Sequence, residues 1–289
     1  MTPHARNRAS RVPRTLVGGL LLSLLVTPAM ARMPLFDAHL HYSEGDAAHF
    51  TPADILARFD RSGIEQAIVT STPPERVQTL YQAAPERIFP FAGLYRDPLD
   101  KENWFRDDTL PARMEQWLDE HHWVGIGEIH LFASHRNSPV FQAIVDLAAR
   151  RNLVLMIHGD PEIIDRTFEL WPQARILWAH LGTDPRPERL RDYLDRYPDH
   201  LWIDTSVRDE RIAPEGRLLP EWRELFIERP DRFVIGVDTF SVNRWRNFDQ
   251  VVEHIRGWLA QLPTEVAQQI GRDNARAMLR IRIGHPSHQ

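Results

Sequence analysis

Leu35-Phe36-Asp37-Ala38-His39-Leu40-His41 is a short apolar run that ends on ionisable residues. Asp37, His39 and His41 are spaced by two. Side chains alternate faces along a strand, so this spacing predicts a strand with all three on one side, and two imidazoles on adjacent pleats can share one cation. Seven further apolar runs follow, at 64–72, 88–95, 123–131, 153–159, 175–182, 201–206 and 233–240, making eight in all. Most are near-continuous in Ile, Val, Leu, Phe and Trp, as parallel strands buried on both faces are.

Helical stretches separate the runs. Thr51-Pro-Ala-Asp54 opens one with a hydroxyl cap, a proline in the first turn and an acid beside it, and Gly63 stops it. The stretch 139–152 places Val140, Phe141, Ile144, Val145, Leu147 and Ala148 at helical spacing. Asp160-Pro-Glu162 starts another helix, and more are expected at 187–197, 220–229, 248–262 and 263–279. Eight strands alternating with helices predict an α/β fold, the (β/α)8 TIM barrel, as a single domain over residues 32–289. The competing open doubly wound sheet carries a glycine-rich phosphate turn after its first strand, whereas here the first strand leads through His39 and His41 into Tyr42.

Active sites of such barrels lie at the C-terminal ends of the strands. Besides His39 and His41, those ends carry Gly125-Ile-Gly-Glu128-Ile-His130, Met156-Ile-His158-Gly, Trp178-Ala-His180-Leu-Gly, Asp204 and Gly236-Val-Asp238-Thr. A lone histidine after an apolar run is more often a hydrogen-bonded core residue than a ligand. Ionisable residues at so many strand ends of one barrel are costly to bury together unless a cation or hydrogen bonds compensate them.

On these residues the chain resembles the amidohydrolase superfamily, and within it the amidohydrolase-2 branch of barrel hydrolases and decarboxylases. The matching pieces are Phe36-Asp-Ala-His-Leu-His41, Gly125-Ile-Gly-Glu128, Ile157-His-Gly159, Trp178-Ala-His-Leu-Gly182, Gly236-Val-Asp-Thr239 and Asp273-Asn-Ala-Arg276. The resemblance implies His39, His41 and His158 as metal ligands. It implies Asp238 as a ligand that also accepts the proton of the attacking water. His180 becomes a ligand to a second metal or the residue that orients the water. Members of the family that bridge two metals with a carbamylated lysine carry it on the fourth strand, but the one lysine of this chain, Lys101, lies after the third. Glu128 stands in the corresponding place, as a glutamate does in TatD-type nucleases. It is expected either to bridge two metals or to hydrogen-bond a histidine ligand of a single one.

The resemblance thus implies a metal-dependent hydrolase of an amide, ester or lactone bond in a small molecule. The alternatives are a decarboxylase of the same family and a non-catalytic exported binding protein on the same barrel. Cysteine is absent, so any metal rests on His, Asp, Glu or water. Such nitrogen-rich, oxygen-containing donors favour zinc, with manganese, iron and cobalt as alternatives, in one or two ions. Arg96 after the third strand and Arg208 after the seventh are candidates for a bidentate grip on a substrate carboxylate. Phe240 and Trp245 are candidate pocket walls. His121, His122, His200, His254, His285 and His288 fall away from strand ends and read as structural or exposed.

The composition, 43% hydrophobic and 26% charged over 289 residues, suits a globular protein with a sizeable core. A net charge of −5 offers no electrostatic footprint for nucleic acid, and the expected partner is a small-molecule substrate. Arg6, Arg8, Arg11 and Arg14 precede an apolar run at 16–26 and then Ala29-Met-Ala31, the pattern of a cleaved signal peptide over residues 1–31. The run is shorter than the roughly 20 residues that span a bilayer. The expectation is therefore export to the periplasm or beyond, without stable membrane association after cleavage. A homo-oligomer is compatible with everything above.

Overall fold

The computed structural model describes residues 32–280 together with Met1, so the expected leader falls almost wholly outside the described residues. Eight parallel strands form one sheet in sequential order: β1 (Leu35–His41), β2 (Ile64–Thr70), β3 (Ile88–Ala92), β4 (Gly125–Leu131), β5 (Val154–Gly159), β6 (Ile176–Trp178), β7 (Leu201–Asp204) and β8 (Phe233–Val234). The sheet curls back on itself. Ala38 N–H donates to the Ile235 carbonyl at 2.9 Å, and Asp238 N–H donates to the His39 carbonyl at 2.7 Å, so the chain just beyond β8 lies along β1. This is the (β/α)8 barrel that the alternating pattern predicts.

The helices form where their ends are satisfied. Thr51 Oγ1 accepts from Asp54 N–H at 3.2 Å and Pro52 opens the helix Pro52–Ser62; Ser138 Oγ does the same for Pro139–Arg150 through Phe141 N–H. Among the described residues no helix is long and apolar enough to cross a membrane.

Strand alternation sorts the side chains into two apolar layers. Phe36, Ile68, Phe91, Met156, Leu177 and Trp202 pack with one another inside the barrel, with Met278 and Leu279 of the last helix joining them. Leu155, Ile157, Ile176, Trp178, Leu201 and Ile203 pack outward against the helices. By this parity Val154, Met156 and His158 share the inner face, as do Trp202 and Asp204. Alternation alone therefore delivers His158 and Asp204 to the barrel mouth.

Elsewhere the parity is broken, and each break re-aims a site residue. In β1, Asp37 pairs with Ala67 and Leu40 with Val69, so three steps oppose two. In β4, Ile126 pairs with Leu155 and Ile129 with Ile157, again three against two. These are bulges, which commonly turn side chains beside active sites. The first corrects the expectation that Asp37 shares a face with His39 and His41. Asp37 instead braces the closing seam, where its Oδ1 accepts from His39 N–H and Val237 N–H, each at 3.1 Å. Burial pushes its carboxyl up to about 8 against those two bonds.

Two strands are shorter than the sequence implies. β6 stops at Trp178, and His180 and Leu181 take left-handed backbone (φ 61° and 58°) in the turn that follows. On a continued strand His180 would point outward with Trp178; the turn swings it inward. The pairing of β8 with β7 ends at Val234, and Asp238 is also left-handed at φ 53°. Such conformations cost of order 1–3 kcal/mol each and gather at functional sites.

Candidate metal centre

Glu128 lies at the centre of the barrel mouth, and its two oxygens face different neighbours. Oε1 is 3.0 Å from His158 Nδ1 and 2.9 Å from His180 Nε2. Oε2 is 3.4 Å from His41 Nε2, 3.4 Å from His130 Nε2 and 3.7 Å from His39 Nε2. Asp238 closes the ring, with Oδ1 3.2 Å from His41 Nε2 and Oδ2 3.8 Å from His180 Nε2. His39, His41, Glu128, His158, His180 and Asp238, singled out from the sequence, are thus gathered in one cluster.

Two of the imidazoles are aimed by what their Nδ1 atoms touch. His39 Nδ1 is 3.0 Å from Asp204 Oδ2, and His180 Nδ1 is 2.8 Å from Ser206 Oγ. Asp204 Oδ1 also accepts from the N–H groups of His180 and Ser206, at 3.1 and 2.9 Å. One buried carboxylate therefore ties the first strand to the sixth and seventh. The close approach of β1 to the chain after β8 needs a missing side chain: a Cβ on Gly236 would fall 2.8 Å from that of His39.

Sequence reasoning left four contributors without a role. His130 follows Glu128 by two residues, the same spacing that marked His39 and His41, and this was the available signal. Tyr95, after β3, accepts from His130 N–H through Oη at 2.9 Å and lies 3.1 Å from His130 Nδ1. Asp204 sat at a strand end with no family piece to interpret it, and Ser206 had no signal.

Three buried carboxylates demand positive charge here. Burial opposes protonation of His39, but Asp204, Asp238 and Glu128 outweigh it and hold the imidazole well above its ordinary pKa. His41 is raised in the same way, chiefly by Asp238 and Glu128 against its burial. Burial works against the Glu128 anion too, yet the surrounding imidazoles keep its carboxyl well below the ordinary range. His130 goes the other way: burial, with the Lys101 charge adding to it, depresses it to about 3 and leaves it neutral.

The donor set fits a divalent cation. Asp238 Oδ1 is buried and without a hydrogen bond although it faces the imidazoles. Among the described residues, three triads have donor atoms within 4.8 Å of one another: His39, His41 and Asp238; His39, Glu128 and His180; and Glu128, His130 and His158. Neutral imidazoles and carboxylates without thiolates are the donors that zinc and its neighbours accept.

The other candidates stand outside this cluster. Arg96 is exposed and grips Asp100 with two bonds of 3.1 Å. Arg208 turns inward, its Nε donating to the His180 carbonyl at 3.0 Å, so it braces the left-handed turn. Trp245 is fully buried and donates to the His41 carbonyl at 3.0 Å, whereas Phe240 stays 65% exposed at the rim. His121, His122, His200 and His254 lie away from the cluster, and His285 and His288 fall outside the described residues. A cavity of about 560 Å³ opens beside His41, with Pro73, Pro98, Phe240 and Val242 in its wall.

The amidohydrolase family model matches residues 31–281. Among solved structures, an amidohydrolase 2 protein from Bifidobacterium longum subsp. infantis is similar with a TM-score of 0.54 at 15% identity, over 86% of this chain and 99% of that one. A TatD homologue from Escherichia coli K12 is similar with a TM-score of 0.59 at 15% identity, over 85% of this chain and 97% of that one. At these identities the likeness is one of fold. No curated protein matches the sequence.

Proposed function

Because the chain belongs to the amidohydrolase family, we propose that it hydrolyses an amide, ester or lactone bond of a small molecule with water as the nucleophile. One observation carries this reading: Asp238 Oδ1 is buried without a hydrogen bond and faces the imidazoles of His39 and His41. A carboxylate oxygen in that position can hold a cation and also take a proton from a neighbouring water.

His39, His41 and Asp238 would hold one cation, and Glu128 with its histidine neighbours His158 and His180 would hold a second. Zinc suits both sets, with manganese, iron and cobalt as alternatives. A divalent ion supplies Lewis acidity toward water and toward the scissile carbonyl. Asp238 takes the proton of the attacking water and returns it to the leaving group. His180, fixed by Ser206, would serve as a ligand of the second cation or, with a single cation, would orient the water. The buried surroundings keep competing solvent away from the reacting atoms. The leader pattern at residues 1–31 adds export to the proposal, with a small molecule as the partner.

The test is turnover of a panel of 4-nitrophenyl esters, lactones and N-acyl amides by metal-loaded protein. Asp238→Asn should lower kcat by at least about 100-fold, the scale of positioned proton transfer. Full activity after chelation, with metal analysis reading zero, sinks the proposal. Carbon dioxide released from aromatic acids without hydrolysis of the panel would replace it with the decarboxylase reading.

A further inference from the structure

The cavity beside His41 has two cationic side chains in its lining, Arg96 and Lys101. They are not equivalent. Arg96 spends its planar fork on Asp100, with Nε and Nη2 each 3.1 Å from a carboxylate oxygen. Lys101 is half-buried in the short 3-10 helix Pro98–Glu102, and among the described residues no carboxylate pairs with it. Its Nζ sits 5.7 Å from the centre of the Tyr95 ring, on the face of a buried aromatic whose hydroxyl contacts His130. His130 in turn is 3.4 Å from Glu128. The uncommitted cation of the cavity is therefore seated, through Tyr95, against the edge of the metal cluster.

The acids of the same lining are engaged. Glu44 is paired with Arg76. Asp46 accepts from Ser43 N–H at 2.9 Å, and Asp97 accepts from Leu99 N–H at 2.8 Å to cap the helix that carries Lys101. The wall beyond is apolar at Pro73, Pro98 and Phe240. A ligand with a compact apolar body and one anionic group would set the body on this wall and the anion on the Lys101 ammonium.

We propose that Lys101 is the anion-binding residue of this cavity and that the substrate class is a small carboxylate with an apolar body, an N-acyl amino acid being the representative. The inference rests on the hydrolase reading for the choice of an acyl compound. In this arrangement the carboxylate meets the Lys101 ammonium and the apolar part lies against Pro98 and Phe240, which leaves the acyl group toward His41, the cluster residue in the cavity wall. A flexible ammonium suits this task better than Arg96, whose Nε and Nη2 are held by Asp100.

Calorimetry on metal-loaded protein tests it, with N-acetyl-alanine, N-acetyl-phenylalanine and N-benzoyl-glycine each set against its uncharged carboxamide. At least one acid should bind 10-fold or more tightly than its amide in the wild type and in Lys101→Arg. In Lys101→Gln that preference should fall below 2-fold, with amide affinity and metal content unchanged. The proposal is overturned if no acid is preferred in the wild type, or if the preference survives in Lys101→Gln, which would place the carboxylate on the metal cluster. Binding does not require turnover, so failure of the hydrolase reading would show separately, as acids bound through Lys101 with no member cleaved.

Discussion

Asp204 Oδ2 lies 3.0 Å from His39 Nδ1, and neither side chain is exposed at all. With a cation bound in place of the Nε2 proton, this contact would hold the remaining proton on Nδ1 and present the Nε2 lone pair on the side of Glu128, His41 and Asp238. Because Asp204 also anchors the backbone of His180, it shapes two donors at once. Asp204→Asn keeps the volume but puts an amide where these donors converge. The expected result is a 10–100-fold loss of metal affinity, the usual scale for such supporting carboxylates, measured by titration against a competing chelator. Unchanged affinity would show that Asp204 serves only the fold.

Glu128 has a different role in the cluster. Its Oε1 contacts His158 and His180 while Oε2 faces His41 and His130. Separate donor sets on the two oxygens lead to the expectation of two metals per chain, spanned by this carboxylate. Metal analysis of purified protein should read two in the wild type and one or none in Glu128→Ala. A wild-type value of one that persists in the variant, with only weakened affinity, would instead make Glu128 a hydrogen-bond partner of a histidine ligand.

These two residues also mark how far the chain could be read without coordinates. His158 was legible because it follows an uninterrupted apolar run and Glu128 because it stands out inside one, and the eight runs were legible because parallel strands buried on both faces leave continuous hydrophobic stretches. The ends of β6 and β8 were not, since His180 and Asp238 leave the strand through left-handed turns that local propensity does not reveal. Asp37 was misplaced because a bulge shifts parity without altering the spacing of residues. Arg96 and Asp100 are four apart, so their pairing was open to inspection. The bond from Arg208 to the His180 carbonyl joins segments that only the closed barrel brings together. Lys101 counted in the sequence mainly as a lysine in the wrong place for a carbamate; its seat on Tyr95 is a product of tertiary packing.

Gly182 ends the turn that positions His180. Its backbone lies at φ 72°, ψ −176°, a region essentially reserved for glycine, and a Cβ there would meet the Trp178 ring at 2.5 Å. Trp178 is itself buried and donates to the Gly159 carbonyl at 3.0 Å, so it has little room to yield. Gly182→Ala should cost roughly 2–4 kcal/mol, combining backbone strain with overpacking. Urea unfolding of the metal-free forms measures this without a contribution from bound ions. A loss below about 0.5 kcal/mol, the range of an ordinary surface change, would mean that the turn relaxes freely.

A last prediction concerns acid stability away from the metal cluster. Asp107 precedes the helix Leu110–Glu120 and accepts from Thr109 Oγ1 at 2.6 Å, from Thr109 N–H at 3.1 Å and from Arg113 at 2.9 Å. The Thr109 hydroxyl is the main cause that lowers its carboxyl from 3.8 to about 2, with burial opposing and Arg113 assisting. A carboxyl whose pKa is lower in the folded than in the unfolded chain stabilises the fold above the unfolded value. That contribution disappears as the pH falls through the folded value. The site is partly exposed, so solvent screening reduces the effect to roughly 1 kcal/mol at neutral pH. Asp107→Asn should therefore be less stable than the wild type by about that amount at pH 7, and the gap should close between pH 4 and pH 2. Unfolding curves for both proteins at several pH values in that window provide the check. A difference that is the same at pH 2 as at pH 7 would assign the effect to packing and not to the charge of Asp107.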